Sequence, residues 1–188
     1  MTSAVMMAVK TVGADLKVGP HELLTLRQAT LADVSAIHEL IANHLADGHL
    51  LPRSLSEITG HAHRFVVAVI EDDVVGCVDL APLSRTVAEV RSLVVSDEAR
   101  SNGVGRQLID AVVARALRAG FERICAFTHA PSYFVQLGFS LVPHDWLPEK
   151  IRTDCGTCPL FRRCNQYAVV LPLARATHTC VPLASLHG

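Results

Sequence analysis

From residue 24 onward the apolar and polar positions fall into a series of short elements. Leu24-Thr25-Leu26-Arg27-Gln28-Ala29 alternates roughly, as a strand with one buried face does. Thr30 can then cap a helix by accepting a bond from a free backbone N–H, with Asp33 at the third helical position. Ile37, Leu40, Ile41 and Leu45 make that helix's apolar stripe, and Gly48 is placed to end it. A polar segment with Leu51-Pro52-Arg53-Ser54 follows, and Ser54 or Ser56 starts a short helix. Phe65–Ile70 is the longest strongly apolar run and has the length of a buried strand. Glu71-Asp72-Asp73 is a turn, and Val74–Leu80 returns as the second arm of a hairpin.

The second half alternates strands with helices. Glu89–Val95 is a strand. Val104–Ala119 carries Val104, Leu108, Val112 and Ala116 on one stripe, flanked by Ile109, Val113 and Leu117, and Gly120 caps its end. Glu122–Thr128 is a strand. Pro131 opens a helix, where its missing N–H would be unpaired anyway, and Gly138 stops it. Tyr167–Leu173 is the last strand. The sum is an α/β domain with a central sheet, its strands paired early by a hairpin and later through helices. Residues 1–22 lack a period and are read as an N-terminal extension, 23–174 as the domain, and 175–188 as a C-terminal tail.

Composition narrows the function classes. The formal net charge is −1, which argues against a generic nucleic-acid binder that must neutralise phosphates. No apolar run approaches the ~20 residues that span a bilayer. In MTSAVMMAVK the charge follows the apolar part and no long apolar core comes after it, so it is not read as a signal peptide. The six cysteines are scattered rather than arranged as a secreted disulfide scaffold, and a cytoplasmic setting is expected.

The stretch that carries chemistry is Glu89-Val-Arg-Ser-Leu-Val-Val95, a polar link, then Arg100-Ser-Asn-Gly-Val-Gly105 opening the long helix. Gly103 and Gly105 let the backbone approach a ligand closely. The unpaired N–H groups and the dipole of a helix start favour an anion at the same place, and Arg100 and Arg106 add charge. A pyrophosphate suits such a loop. Taken alone, two glycines also fit a plain turn before a helix. The loop lacks the Gly-Lys-Ser/Thr ending of a triphosphate P-loop and the six-position dinucleotide fingerprint.

Arg-x-x-Gly-x-Gly between a strand and a helix resembles the acetyl-CoA motif of the GNAT acetyltransferase superfamily. Leu26-Arg27-Gln28-Ala29-Thr30 with Asp33 resembles its opening, and Pro131-Ser-Tyr-Phe-Val-Gln-Leu-Gly-Phe139 its C-terminal helix. A narrower resemblance is to short bacterial N-acetylglutamate synthases. It rests on Leu50–Ser54, Val75-Gly76-Cys77, Ala88–Val95, Leu147-Pro148-Glu149-Lys150 and Asp154-Cys155-x-x-Cys158-Pro159. The resemblance implies a central mixed, twisted sheet flanked by helices. It also implies acetyl-CoA as cosubstrate, the α-amine of L-glutamate as acceptor and direct attack of that amine on the thioester, the first step towards arginine. A homodimer is compatible with it; no nucleic acid or membrane partner is expected. The competing readings are another amine acceptor, or a non-catalytic acetyl-CoA sensor.

Carried over by position, the resemblance implies that Leu93, Val94 and Val95 pair with the pantetheine arm through backbone groups. Arg100, Ser101, Asn102, Gly103, Val104, Gly105 and Arg106 would hold the pyrophosphate. Glu89 stands where some members keep a base, and a structural strand carboxylate is its alternative. Arg91 shares a strand face with Glu89, two residues away. Arg53 and Arg91 are the expected carboxylate binders, since a guanidinium matches carboxylate geometry; a strand arginine paired to a local acid is the competitor. Arg27 is read as structural. The usual tyrosine general acid falls at Phe134, read as packing. Tyr133 is next to it, some 100° away around a helix, so either Tyr133 serves by another route or water protonates the thiolate.

Cys155, Cys158 and Cys164 form the one organised cysteine group. Metal binding, a reduced or redox-responsive set of thiols, and a structural segment all fit; no metal is assigned, since a structural zinc wants four ligands and only Cys180, His144 or His178 could supply the last. His61-x-His63 is read as a solvated loop and Trp146 as a packing anchor beside the substrate-side loop.

Overall fold

The computed structural model describes residues 23–47, 50–158 and 161–173. The expected extension, Gly48 and the C-terminal tail lie outside the described residues. Seven strands form one mixed sheet: β1 (Thr25–Gln28), β2 (Phe65–Ile70), β3 (Asp73–Pro82), β4 (Val87–Val95), β5 (Arg123–Thr128), β6 (Ser140–Val142) and β7 (Tyr167–Pro172). Their order is β1-β2-β3-β4-β5-β7-β6. All neighbours are antiparallel except β4 and β5, which run parallel. The helices are α1 (Val34–Asn43), α2 (Leu55–His61), α3 (Val104–Arg118), α4 (Pro131–Gln136) and α5 (Pro148–Thr153). Among the described residues no helix is long and apolar enough to cross a membrane.

Strand alternation sorts the core onto two faces. Val66, Ala68, Val78, Leu80, Ala88, Val90, Ile124 and Ala126 meet Leu108, Ile109, Val112 and Ala116 of α3 and Phe134 of α4. Val67, Val69 and Cys77 meet Ile37, Leu40 and Ile41 of α1 and Ile58 of α2. On that second face, farther along the sheet, Val87, Cys125 and Ala168 are covered by Leu147. Each fully buried aliphatic side chain here contributes roughly 1.5–3 kcal/mol.

Local chemistry sets the element ends. Asp33 accepts bonds from the Thr30 N–H at 2.7 Å and the Thr30 hydroxyl at 2.8 Å. It also takes both arms of Arg27 at 2.7 Å, which gives Arg27 the structural role expected of it. The first turn, Leu31–Asp33, is a 3-10 turn that runs into α1. Ser54 is the residue that caps α2, accepting from the Glu57 N–H at 3.2 Å. Gly120 ends α3 with φ 82°, and Gly138 follows α4 with φ 92°, both in the left-handed region.

Three expectations are corrected. β6 and α5 are elements the hydrophobic pattern does not predict: β6 has three residues, too few to show a period, and α5 is a short, mostly polar turn behind Pro148. Trp146 is exposed rather than a packing anchor; its neighbour Leu147 is the buried residue. His61 is the last residue of α2, with Nδ1 2.9 Å from the Glu57 carbonyl, rather than part of a loop.

The Arg27 guanidinium, with the Thr30 bonds, holds the Asp33 carboxyl well below the usual carboxylate range. Its contribution to stability is therefore present above the unfolded carboxylate pKa and is lost as pH falls through the depressed one. Asp33→Asn is expected to cost about 1–2 kcal/mol at pH 7. In urea melts against pH, the gap to wild type should stay level above about pH 5 and shrink in more acid solution. A gap that widens on acidification would contradict the assignment.

Candidate active site

The cleft begins where two parallel strands part. β4 and β5 pair only from Val87–Val90 against Arg123–Ala126, yet β4 runs on to Val95 and β5 to Thr128. The separation coincides with a bulge. The β3–β4 register slips by one residue between Cys77 and Asp79, opposite Ser92, which has φ 48°. The extra residue reverses the alternation: Val90 faces α3, whereas Val94 packs with α1, and Leu93 and Val95 turn to the α3 side. Divergence and bulge together open a cleft of about 1180 Å³.

One end of the cleft is the glycine loop. A short turn, Asp97–Ala99, leads from β4 to Arg100; Ser101 has φ 66° and Gly103, at the helix start, φ 76°. These positive φ values turn the chain tightly into α3. Gly105 plays a different part: a Cβ there would stand 2.7 Å from the Tyr133 hydroxyl, which would have to move. Arg100 pairs with Asp97 at 2.7 Å and donates to the Val95 carbonyl at 3.2 Å. Of the expected loop residues, Arg100, Ser101, Gly103, Val104, Gly105 and Arg106 line the cleft and Asn102 does not; Leu93, Val94 and Val95 line its strand wall.

Tyr133 and Phe134 separate as helix geometry requires. Phe134 is buried and packs edge-on against Phe139, 5.2 Å between ring centres. Tyr133 places its hydroxyl beside Gly105 in the cleft. Partial burial pushes its phenol pKa up, with Arg106 opposing and Asp110 reinforcing the shift. The phenol is therefore protonated at neutral pH.

The other end is polar and charge-balanced. Glu89 is 2% exposed. Its Oε2 accepts from Arg91 Nε at 2.5 Å and Lys150 Nζ at 3.0 Å, and its Oε1 lies 2.8 Å from Lys150. Asp154 Oδ2 accepts from Arg91 and, at 2.8 Å, from Lys150. Burial works against the Arg91 charge, but Glu89 and Asp154 outweigh it and raise the guanidinium pKa. Burial likewise opposes the Asp154 charge, yet Lys150, Arg91 and Arg53 hold its carboxyl below the ordinary value. Arg53 pairs with Glu57 one helical turn along.

The structure thus brings Glu89, Arg91 and Arg53 together at one end and sets Tyr133 on the cleft wall beside Gly105. Lys150 and Asp154 were missed as site residues because they sit on α5 and its cap. Pro148 at the first turn and a Lys–Asp pair four apart were the signal that could have placed them.

Cys155, Cys158 and Cys164 also line the cleft, just beyond Asp154. Burial pushes the Cys155 thiol up, partly offset by Lys150. His144 has Nε2 2.9 Å from the Gln166 carbonyl and lies tilted against Phe127, ring centres 5.3 Å apart. Among the described residues no group of three metal-ligating side chains is placed to hold an ion; His178 and Cys180 lie outside them.

Residues 34–139 match the acetyltransferase (GNAT) family. The chain belongs to the GNAT family. It is 33% identical to an uncharacterised N-acetyltransferase of Chlorobaculum tepidum over 148 residues, 79% of this chain and 96% of the other. It is also 33% identical to an amino-acid acetyltransferase of Ralstonia nicotianae over 74% of this chain and 32% of that protein. Among solved structures it resembles the N-acetylglutamate synthase of Neisseria gonorrhoeae, complexed with coenzyme A and N-acetylglutamate. The TM-score there is 0.74 and the identity 26%, covering 83% of this chain and 36% of that one. The chain therefore spans about a third of these two longer relatives.

Acetyl-CoA is the GNAT acetyl donor, and the residues present fit it. The loop closes on a space that a Cβ at Gly105 would enter, its backbone turns through Ser101 and Gly103, and Arg100 and Arg106 stand at its rim. Gly105→Ala should push Tyr133 aside and weaken coenzyme A binding about tenfold by calorimetry, roughly the worth of one charge-assisted contact. Unaltered affinity would show that the loop is not the anion site.

Proposed function

We propose that this GNAT enzyme transfers acetyl from acetyl-CoA to the α-amine of L-glutamate, as an amino-acid N-acetyltransferase serving arginine synthesis in the cytoplasm. The observation that carries the reading is the concentration of Arg53, Arg91 and Lys150 at the acceptor end of the cleft. An acceptor with two carboxylates suits three cations; a polyamine would need a net acidic pocket, and this one is balanced.

Acetyl-CoA, when bound, supplies an activated thioester. The edges of Leu93, Val94 and Val95 hold the donor's arm between the parted strands, and the loop from Arg100 to Arg106 holds its phosphates. Arg53 and Arg91 orient the acceptor's carboxylates so that the amine faces the thioester. Glu89, fixed by two cations at the floor, receives the proton the amine must lose. Tyr133, kept protonated by burial, returns a proton to the departing thiolate.

A second reading of Glu89 has its own support. Both of its oxygens are already engaged by Arg91 and Lys150, which makes it an anchor for the cations. The two roles separate in kinetics. As proton acceptor, Glu89→Gln lowers kcat about 10²-fold or more with a small change in KM. As anchor, it raises KM for the acceptor instead.

The direct test is release of CoA from acetyl-CoA over a panel of amino acids and amines, with product masses. Glutamate-dependent release and a mass for acetylglutamate are expected. Arg91→Ala should raise the glutamate KM about tenfold or more, and Tyr133→Phe should lower kcat about tenfold or more. Turnover confined to another amine overturns the acceptor. Coenzyme A binding with no turnover on any acceptor moves the reading to a sensor.

A further inference from the structure

Two cations at the acceptor end converge on one carboxylate. Arg91 Nη2 and Lys150 Nζ both donate to the same oxygen, Asp154 Oδ2, and the charge of Arg53 also reaches it. We propose that Asp154 is an internal stand-in for the acceptor's carboxylate, and that Arg91 and Lys150 form the fork the acceptor takes over when Asp154 swings away. The inference rests on the reading of the acceptor as a carboxylate-bearing amine, and it names the residues that select that group.

Charge balance and access carry it. Glu89 and Asp154 offset Arg91 and Lys150, so the cluster is neutral. A substrate carboxylate added to all four would leave an uncompensated charge in a half-buried pocket, at a steep desolvation cost. Departure of one acid restores the balance. The two acids differ in their freedom to leave. Glu89 has a side chain 3% exposed, lies within a central strand and accepts from both cations. Asp154 has a side chain 35% exposed and sits at the end of α5, before the Cys155–Thr157 turn with its glycine. Asp154 can rotate into solvent; Glu89 cannot without opening the sheet.

The cations are held for the exchange. Glu89 fixes Arg91 Nε and the Lys150 ammonium from below, leaving Arg91 Nη2 and one direction of Lys150 aimed at the Asp154 position. The Lys150 ammonium also lies 5.4 Å from the Phe127 ring centre, over its face. Asp154 is thus a positioning residue that keeps the empty fork ordered and sets a threshold for entry: neutral acceptors lack the charge to displace it.

Glutarate tests the exchange because it has two carboxylates and no amine. Its binding to coenzyme A-saturated protein is measured by calorimetry for wild type, Asp154→Asn and Lys150→Met. Coenzyme A affinity reports the fold, and Asp154→Ser serves if Asp154→Asn does not fold. The expected result is glutarate binding about fivefold to tenfold tighter in the Asp154 variant and about tenfold weaker in Lys150→Met. Equal or weaker binding in both Asp154 variants, or unchanged binding in Lys150→Met, overturns the proposal. Absence of glutarate binding in every form does so too. Failure of the acceptor reading looks different: glutamate is not acetylated, yet the Asp154 variant still gains affinity for glutarate. Acetylation of glutamate without that gain sinks the exchange alone.

Discussion

Everything at this site depends on β4 leaving β5 halfway along its length. Parallel strands normally stay paired because every exposed N–H and C=O wants a partner. Here pairing ends at Val90 and Ala126 while both strands continue. The one-residue bulge at Ser92 keeps β4 on β3 while turning its side chains over. That single slip has two consequences. Before it, Glu89 and Arg91 face the α5 side, where a polar pocket can form. After it, Leu93 and Val95 are shared with the α3 core, and the strand edge borders the cleft. On the proposed function, the donor's wall and the acceptor's floor are therefore one continuous strand, separated by a change of parity.

The fold supports that opening from both sides. α3 packs against β2, β3, β4 and β5 through a fully buried stripe, so the glycine loop at its start is held by the deepest part of the core. On the opposite face, Leu147 is buried over Val87 and Cys125, and Arg123 reaches Glu149 at 3.0 Å. These two ties seat α5 on the sheet and bring Lys150 within reach of Glu89. A glycine loop anchored in the core and a tethered polar end suit the proposed reaction, which depends on holding two reactants in line. The acceptor side ends in the less buried segment that carries Asp154 and the cysteines.

Much of this was legible in the sequence, for identifiable reasons. Phe65–Ile70, with five consecutive buried residues, declares itself by the length of its apolar run, and Val104–Arg118 by the period of its apolar stripe. The glycine loop was legible through the resemblance of Arg100–Gly105 to the family motif, since two glycines alone also fit a plain turn. The spacing of Glu89 and Arg91 placed them on one face, and they do meet there. The bulge was not legible, because Ser92 is not glycine and nothing nearby marks a positive φ. Lys150 and Asp154 were not legible as partners of β4 because their contacts span about sixty residues and hang on the burial of one leucine. Phe134 packs as expected, against Phe139; what the sequence did not show is that Tyr133 sets its hydroxyl beside Gly105.

A crystal structure with coenzyme A and N-acetylglutamate bound would test the divided strand most directly. The pantetheine arm should lie between β4 and β5 along Leu93–Val95, with a product carboxylate at Arg91 and Lys150 on the far side of Ser92. A coenzyme A arm lying outside the parted strands, or a product held away from both cations, would contradict the assignment of one strand to both substrates.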